Sequence, residues 1–140
     1  MNHDEVARKL LEGLPDALVI SDRAGKITFW NAGAERVFGF TESEALGCSL
    51  DIITPERLRE RHWSGYERTM RTGRTQYGAG DLLSVPAIRK DGRAISVQFS
   101  ITPFRDDKGE ICALAAVMRD VTLDFEERKQ LRKALREATS

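Results

Sequence analysis

The stretch RKDGRAISVQFSITPFRDDKGEICALAAVMRDVT, Arg89 to Thr122, decides the fold. Its Asp91-Gly92 pair is typical of the turn in a β-hairpin. Apolar residues then alternate with polar ones over 95–101, which predicts a strand with one buried face. After a turn at DDKGE, residues 111–121 are apolar on both faces, so the sequence predicts a last strand that is covered on both sides, by the N-terminal helix or by a partner chain.

The first half of the chain predicts a helix, a hairpin and a series of shorter helices. Residues 3–15 have the apolar spacing of an amphipathic helix that ends at a glycine and a proline. The β-rich runs 17–22 and 26–30 flank a turn, as in a second hairpin. Thr41 and Glu44 form the pattern of a capping box, which predicts a short helix there. A longer helix is expected between Pro55 and Gly73.

This order of elements predicts an α+β domain with a five-stranded antiparallel sheet, short helices on one face and a flanking helix at each end. We divide the chain into an N-terminal flanking helix (1–15), a central domain that holds the sheet (16–122) and a C-terminal connector helix (123–140). The last segment is highly charged, with a thin apolar stripe at Leu131 and Leu135. That pattern fits either a solvated tail or a coiled-coil connector, and we favour the connector.

Composition excludes several classes of function. The chain has 140 residues with 22 basic and 22 acidic side chains, so no net charge attracts nucleic acid or an anionic membrane. Its longest apolar run is too short to span a bilayer. Cys48 and Cys112 have no metal-ligand spacing and suit a reduced compartment. We therefore expect a cytoplasmic protein.

Two phrases carry a family resemblance: ITFWNAGAERVFGFTESEALG, residues 27–47, and the stretch 89–122 quoted above. Both resemble the PAS sensor-domain family, and the resemblance extends over about residues 5–122. It implies the PAS fold, and a domain that senses a ligand or dimerises and is not an enzyme. We expect a homodimer that signals through its flanking helices to an output domain or partner protein.

Within that family the chain is most similar to the heme-binding PAS domains of bacterial oxygen and carbon monoxide sensors. In the oxygen-sensing kinases of this subgroup, the heme-ligating histidine precedes an MxTG-like phrase at a fixed interval. Here MRTG runs from Met70 to Gly73, and the same interval leads to His62. The resemblance therefore implies heme b with His62 as the iron ligand, Arg68 as the partner of a heme propionate, and Met70 in the cofactor site.

Helical spacing supports this assignment. His62 shares a stripe with Leu58, Gly65, Tyr66 and Thr69. Leu58 and Tyr66 suggest that the stripe faces the interior, and Gly65 leaves room for a flat macrocycle. A neutral imidazole is a good axial ligand, and a single protein ligand leaves the other axial position open to a diatomic gas.

The opposite wall of the pocket is expected to be apolar. The alignment places Leu82 where the oxygen sensors carry an arginine that hydrogen-bonds oxygen, and Phe99 and Ile101 extend the wall. Bound oxygen benefits from a hydrogen-bond donor and carbon monoxide hardly does, so we expect a sensor of CO or NO more than of O2. Met118 either fills the wall, which we favour, or binds the iron. Tyr77 is a polar donor that would restore some oxygen affinity.

Other chemistries lack their residues. A flavin photosensor of this fold needs an Asn-Cys-Arg phrase, and Cys48 lies two positions too early with the wrong neighbours. Gly78–Gly80 is too short for a phosphate loop and precedes a strand. Two alternatives from other classes stay open. One is a cofactor-free PAS dimerisation and interaction module in which His62 is a packed core residue, and the other is a PAS pocket for another small ligand.

Overall fold

The computed structural model describes residues 1–75 and 83–139, without the side chain of Leu83. In chain order, the described elements are α1 (His3–Gly13), β1 (Ala17–Asp22), β2 (Ile27–Trp30), α2 (Ala32–Phe38), α3 (Glu42–Ala45), two 3-10 turns (Leu50–Ile53 and Glu56–Leu58), α4 (Arg59–Thr72), β3 (Leu83–Ile88), β4 (Ala94–Arg105), β5 (Ile111–Asp120) and α5 (Thr122–Thr139).

The five strands form one antiparallel sheet in the order β2-β1-β5-β4-β3. The first and last strands of the chain are therefore neighbours at the centre, and β5 pairs with β1 on one side and β4 on the other. This architecture confirms the predicted fold class. The division at residues 15 and 122 stays a prediction, although α1 ends at Gly13 and α5 begins at Thr122.

The predicted turns lie where the sequence puts them. Gly25, Gly92 and Gly109 have positive φ angles of 81°, 86° and 80° in the three connections between paired strands, a conformation that glycine adopts without steric cost. The Thr41 side chain accepts a hydrogen bond from the Glu44 amide, and Glu44 in turn bonds the Thr41 amide. The predicted capping box is thereby confirmed.

One face of the sheet holds the main core. Alternate residues of β1, β4 and β5 pack there against side chains of α2 and α3. The buried members of this cluster include Val19, Trp30, Phe38, Val97 and Met118. Trp30 also donates its indole N–H to the Phe40 carbonyl, at 2.9 Å, so its polar atom stays paired inside the core.

Helix α2 is joined to the start of β1 by its cap residue. The Oδ1 atom of buried Asn31 accepts from the Ala34 amide at 2.9 Å and from the Leu18 amide at 2.8 Å. Its Nδ2 atom donates to the Asp16 carbonyl at 3.1 Å. One side chain therefore caps the helix and joins it to a strand.

The flanking helices differ from the inner ones, because neither α1 nor α5 buries a residue. The sequence analysis left the cover of the second face of β5 to α1 or to a partner chain, and this stays a prediction. In the described part of the chain, α1 buries none of its own residues and Val117 of β5 is 37% exposed. None of the helices in the described part of the chain is long and apolar enough to cross a membrane.

Candidate functional site

The helix that carries His62 is fixed to the sheet by a tyrosine. Tyr66 lies one helical turn after His62 and is only 8% exposed. Its hydroxyl lies 2.9 Å from the Ser21 Oγ atom and donates to the Asp22 carbonyl. Both partners belong to the end of β1, so the middle of α4 is bound to the central part of the sheet.

Two further contacts hold the same helix. Trp63 donates its indole N–H to the Asp51 carboxylate at 2.7 Å. The indole also lies against Gly25, where an added Cβ atom would come within 2.1 Å of the tryptophan ring. At the other end of α4, Arg105 donates to the carbonyl of Gly73 at 2.8 Å. The helix is thereby held at its start, its middle and its end.

His62 lies in an aromatic cluster with Trp63 and Tyr66. Its ring centroid is 4.8 Å from that of Trp63 and 5.8 Å from that of Tyr66. The ring is half-buried, and its Nδ1 atom is buried without a hydrogen-bond partner among the described residues. Burial lowers the pKa of His62, and the nearby Asp51 carboxylate opposes this shift only in part. The imidazole is therefore neutral at physiological pH.

These properties fit an axial ligand to heme iron. A metal requires the neutral imidazole, and a buried ring nitrogen without a partner is costly unless something bonds it. A Cβ added at Gly65, three residues after His62, would meet no atom within 4 Å, so the helix is open at that point. The described residues contain no group of three or more His, Cys, Asp or Glu that could hold a bare ion. Heme iron, by contrast, needs only one protein ligand.

The other predicted site residues fall into two groups on the same face of the sheet. Tyr66, Met70 and Ile101 pack in one small cluster with Ile111 and Leu114. Phe99 and Met118 face each other across the β4–β5 ladder and pack in or against the main core. Because Phe99 and Ile101 are two residues apart on β4, the two groups adjoin.

The remaining predicted residues are less central. Leu58 is half-buried at the end of a 3-10 turn, and Arg68 is exposed. Tyr77 and Leu82, as well as Gly78–Gly80, lie outside the described residues. His3 is exposed, as expected for a residue without a role in the pocket.

The sequence analysis missed the residues that support His62. Trp63, Asp51 and Gly25 come from three separate segments, and Ser21 from a fourth. One signal was available in the sequence. Trp63 directly follows His62 on an otherwise charged helix, and a tryptophan in that position indicates that this side of the helix packs against another segment. Nothing in the local pattern indicated that Asp51 or Gly25 would meet it.

Comparisons with known proteins agree with this architecture. The chain is 36% identical over 94 residues to the sensor protein FixL of Bradyrhizobium diazoefficiens, covering 67% of this chain and 18% of that protein. It is 26% identical over 126 residues to the oxygen sensor protein DosP of Escherichia coli, covering 90% of this chain and 15% of that protein. The chain thus spans less than a fifth of the length of either relative.

Solved structures show the same fold. The crystal structure of a PAS domain from Colwellia psychrerythraea superposes with a TM-score of 0.74 at 19% identity, covering 86% of this chain and 98% of that one. A family model described as the PAS fold matches residues 11–124. That match takes in the whole sheet and the helices that pack on it, and the chain therefore belongs to the PAS family of sensory domains.

Proposed function

We propose that this PAS domain binds heme b and senses a diatomic gas, with His62 as the axial ligand of the iron. The observation that carries the proposal is the buried Nδ1 atom of His62 on helix α4, which has no hydrogen-bond partner among the described residues, on an imidazole whose pKa is lowered by burial. When bound, heme would supply an iron centre that can bind a diatomic gas. The similarity to an oxygen sensor protein supports the same class of ligand.

The chain's own residues would shape the site around that ligand. Tyr66, Met70 and Ile101 supply apolar surface next to His62, and Phe99 and Met118 continue it along the sheet. We propose Arg68, which is exposed, as the partner of a propionate at the solvent edge. Met118 is 6% exposed and packed in the main core, which favours its role as a wall residue over that of an iron ligand.

The preference for CO or NO over O2 depends on Leu82, which would stand where an oxygen sensor has a cationic donor. Replacing Leu82 with arginine tests this assignment. We expect Leu82→Arg to slow the dissociation of oxygen from the ferrous protein and so to raise its oxygen affinity, with little change in its affinity for CO. If the substitution raised the affinities for CO and for oxygen equally, the assignment of Leu82 to the gas site would be contradicted.

Signalling would pass from the site to the sheet and then to the flanking helices. Tyr66 joins the helix of His62 to β1, and β1 pairs with β5, which leads into α5. We propose that the domain works as a homodimer in the cytoplasm and controls an output domain or a partner protein. The exposed apolar residues of α1 and α5, among them Leu10, Leu131 and Leu135, are available for such contacts.

An absorption spectrum tests the proposal directly. The chain is expressed with a heme supply, and wild type is compared with His62→Ala and with His3→Ala, which removes the other, exposed histidine. We expect a Soret band that shifts with CO in wild type and His3→Ala, and that is lost or displaced in His62→Ala. Circular dichroism confirms that all three proteins are folded.

The opposite result is equally informative. A folded wild-type protein without a Soret band, or a band that His62→Ala leaves unchanged, would remove His62 from the site. The cofactor-free interaction module would then be the better account, with His62 as a core residue packed against Trp63 and Tyr66.

A further inference from the structure

A basic groove lies between α5 and the start of β3, away from His62. Its volume is about 440 Å³, within the range of about 300 to 1,000 Å³ that small-molecule sites occupy. A smaller groove of about 140 Å³ adjoins it and shares three of its residues. The larger groove is lined by Ser84, Phe125, Arg128, Lys129, Arg132 and Arg136.

The charge of this groove is local. The chain as a whole is neutral, yet four cationic side chains line one concave surface. Arg128, Arg132 and Arg136 follow one another at intervals of four residues, so they lie on the same side of α5. Like charges at this spacing repel one another and destabilise a helix. A bound anion would remove that repulsion.

We propose that this groove binds a phosphate-bearing ligand of nucleotide size. Guanidinium groups bind phosphate through paired hydrogen bonds, and three of them line this groove. Phe125 is 47% exposed and offers a flat apolar face on which a ring can stack. Basic side chains beside an accessible aromatic ring suit an anion that also carries a planar group.

Charge also sets the orientation of the ligand. Asp124 lines the smaller groove and forms an ion pair with Arg128 at 3.3 Å. Its carboxylate repels phosphate, so the phosphates bind toward Arg132 and Arg136. The ring then lies at the Phe125 end, near the amide of Gln98. Because Asp124 limits the basic surface on this side, the groove suits a small ligand better than a polymer.

Such a ligand would bridge α5 and the sheet. Phe125 and the cations belong to α5, whereas Ser84 and Gln98 belong to β3 and β4. Occupancy would fix the orientation of a helix that buries none of its own residues. The site stands apart from His62 and does not depend on heme, so either proposal can fail without the other.

Adjacent charge reversals provide the test. Arg132→Glu changes a residue that lines the groove, and Lys133→Glu makes the same change in charge at the next position, outside the lining. The probe is a fluorescent N-methylanthraniloyl derivative of ADP, with unlabelled ADP in calorimetry at physiological salt. We expect Arg132→Glu to weaken binding by about tenfold or more and Lys133→Glu by less than about threefold. Circular dichroism of both variants shows whether α5 is intact.

Two further probes define the ligand. Phe125→Ala should weaken the binding of ADP and leave that of inorganic pyrophosphate unchanged, because only ADP has a ring to stack. An equal loss for both would overturn the proposal, since the ligand would then be a bare anion. Absence of ADP binding, or equal weakening by the two charge reversals, would overturn it as well. Tighter binding of a single-stranded oligonucleotide than of ADP would replace it with a nucleic-acid surface.

Discussion

Helices α1 and α2 begin in the same way and end up in different environments. Each has an asparagine cap whose side chain accepts a hydrogen bond from the third amide of the helix. Asn31 makes two more bonds, to the backbone at Leu18 and Asp16, and α2 buries Gly33, Ala34 and Phe38. Asn2 makes no such long-range bond among the described contacts, and α1 buries nothing. A local signal thus specifies where a helix begins but not whether it packs.

The largest expected difference between the two helices comes from their glycines. In α2, a Cβ added at Gly33 would lie 2.1 Å from the Asp16 carbonyl oxygen, whereas at Gly13 of α1 it would meet nothing within 4 Å. We expect Gly33→Ala to lower the free energy of unfolding by about 3 kcal/mol or more, because the clash is with backbone that cannot move aside. Gly13→Ala should be neutral or stabilise by up to about 1 kcal/mol. Urea denaturation measures both, and similar values for the two would refute the close packing of α2.

The cap residues give the next largest difference. Asn31→Ala removes one capping bond together with the bonds to the part-buried Leu18 amide and Asp16 carbonyl. We expect a loss of about 3 kcal/mol in the free energy of unfolding. Asn2→Ala removes only an exposed capping bond and should cost about 0.5 kcal/mol. If thermal unfolding showed equal costs, the long-range bonds of Asn31 would contribute nothing.

A second pair of glycines tests whether α4, like α2, packs closely on the rest of the domain. Gly25 and Gly47 have φ angles of 81° and 83°, so alanine is strained at both, but only Gly25 lies against Trp63. Gly25→Ala should therefore destabilise the protein by about 1 to 2 kcal/mol more than Gly47→Ala does. Adding Trp63→Phe to Gly25→Ala shortens the ring and should recover part of the difference. If Trp63→Phe recovered no stability, the ring of Trp63 would not be what the added Cβ atom at residue 25 clashes with.

The smallest effect concerns the bond between α3 and the β3–β4 turn. The Lys90 side chain, with the Thr41 amide, lowers the pKa of Glu44 from 4.5 to about 2. A carboxyl whose pKa is lower in the folded state stabilises the protein above its unfolded pKa, and that contribution is lost as the pH falls toward 2. Between pH 5 and pH 2, wild type should therefore lose slightly more stability than Glu44→Gln. The ion pair between Glu44 and Lys90 is exposed. If stability fell equally with pH in wild type and Glu44→Gln, solvent would screen this pair completely.

The elements of the fold could be predicted from sequence because they depend on local patterns. Alternation identified β4, the Asp91-Gly92 pair identified its hairpin, and the Thr41 capping box identified α3. His62 was proposed from a family resemblance and its interval to Met70. Its buried Nδ1 atom and lowered pKa agree with that role, which stays a prediction.

What could not be predicted depends on contacts between distant segments. The bond from Trp63 to Asp51 spans 12 residues, and the bond from Tyr66 to Ser21 spans 45. No periodicity encodes such distances. The surface that α1 packs on could not be predicted for the same reason, since its amphipathic pattern shows a face that can be buried and not what buries it.

The construction of α5 has a mechanical consequence. The helix is anchored near its start, where the backbone of Ser96 bonds the Val121 amide and the Thr122 hydroxyl. It has acidic residues near its first turn and basic ones toward its end, an order that favours helix formation without tertiary support. Its 18 residues form a rod about 27 Å long. A rotation of about 5° at that anchor would move the far end by about 2 Å, so a helix of this length would turn a small movement of the sheet into a larger displacement at its end.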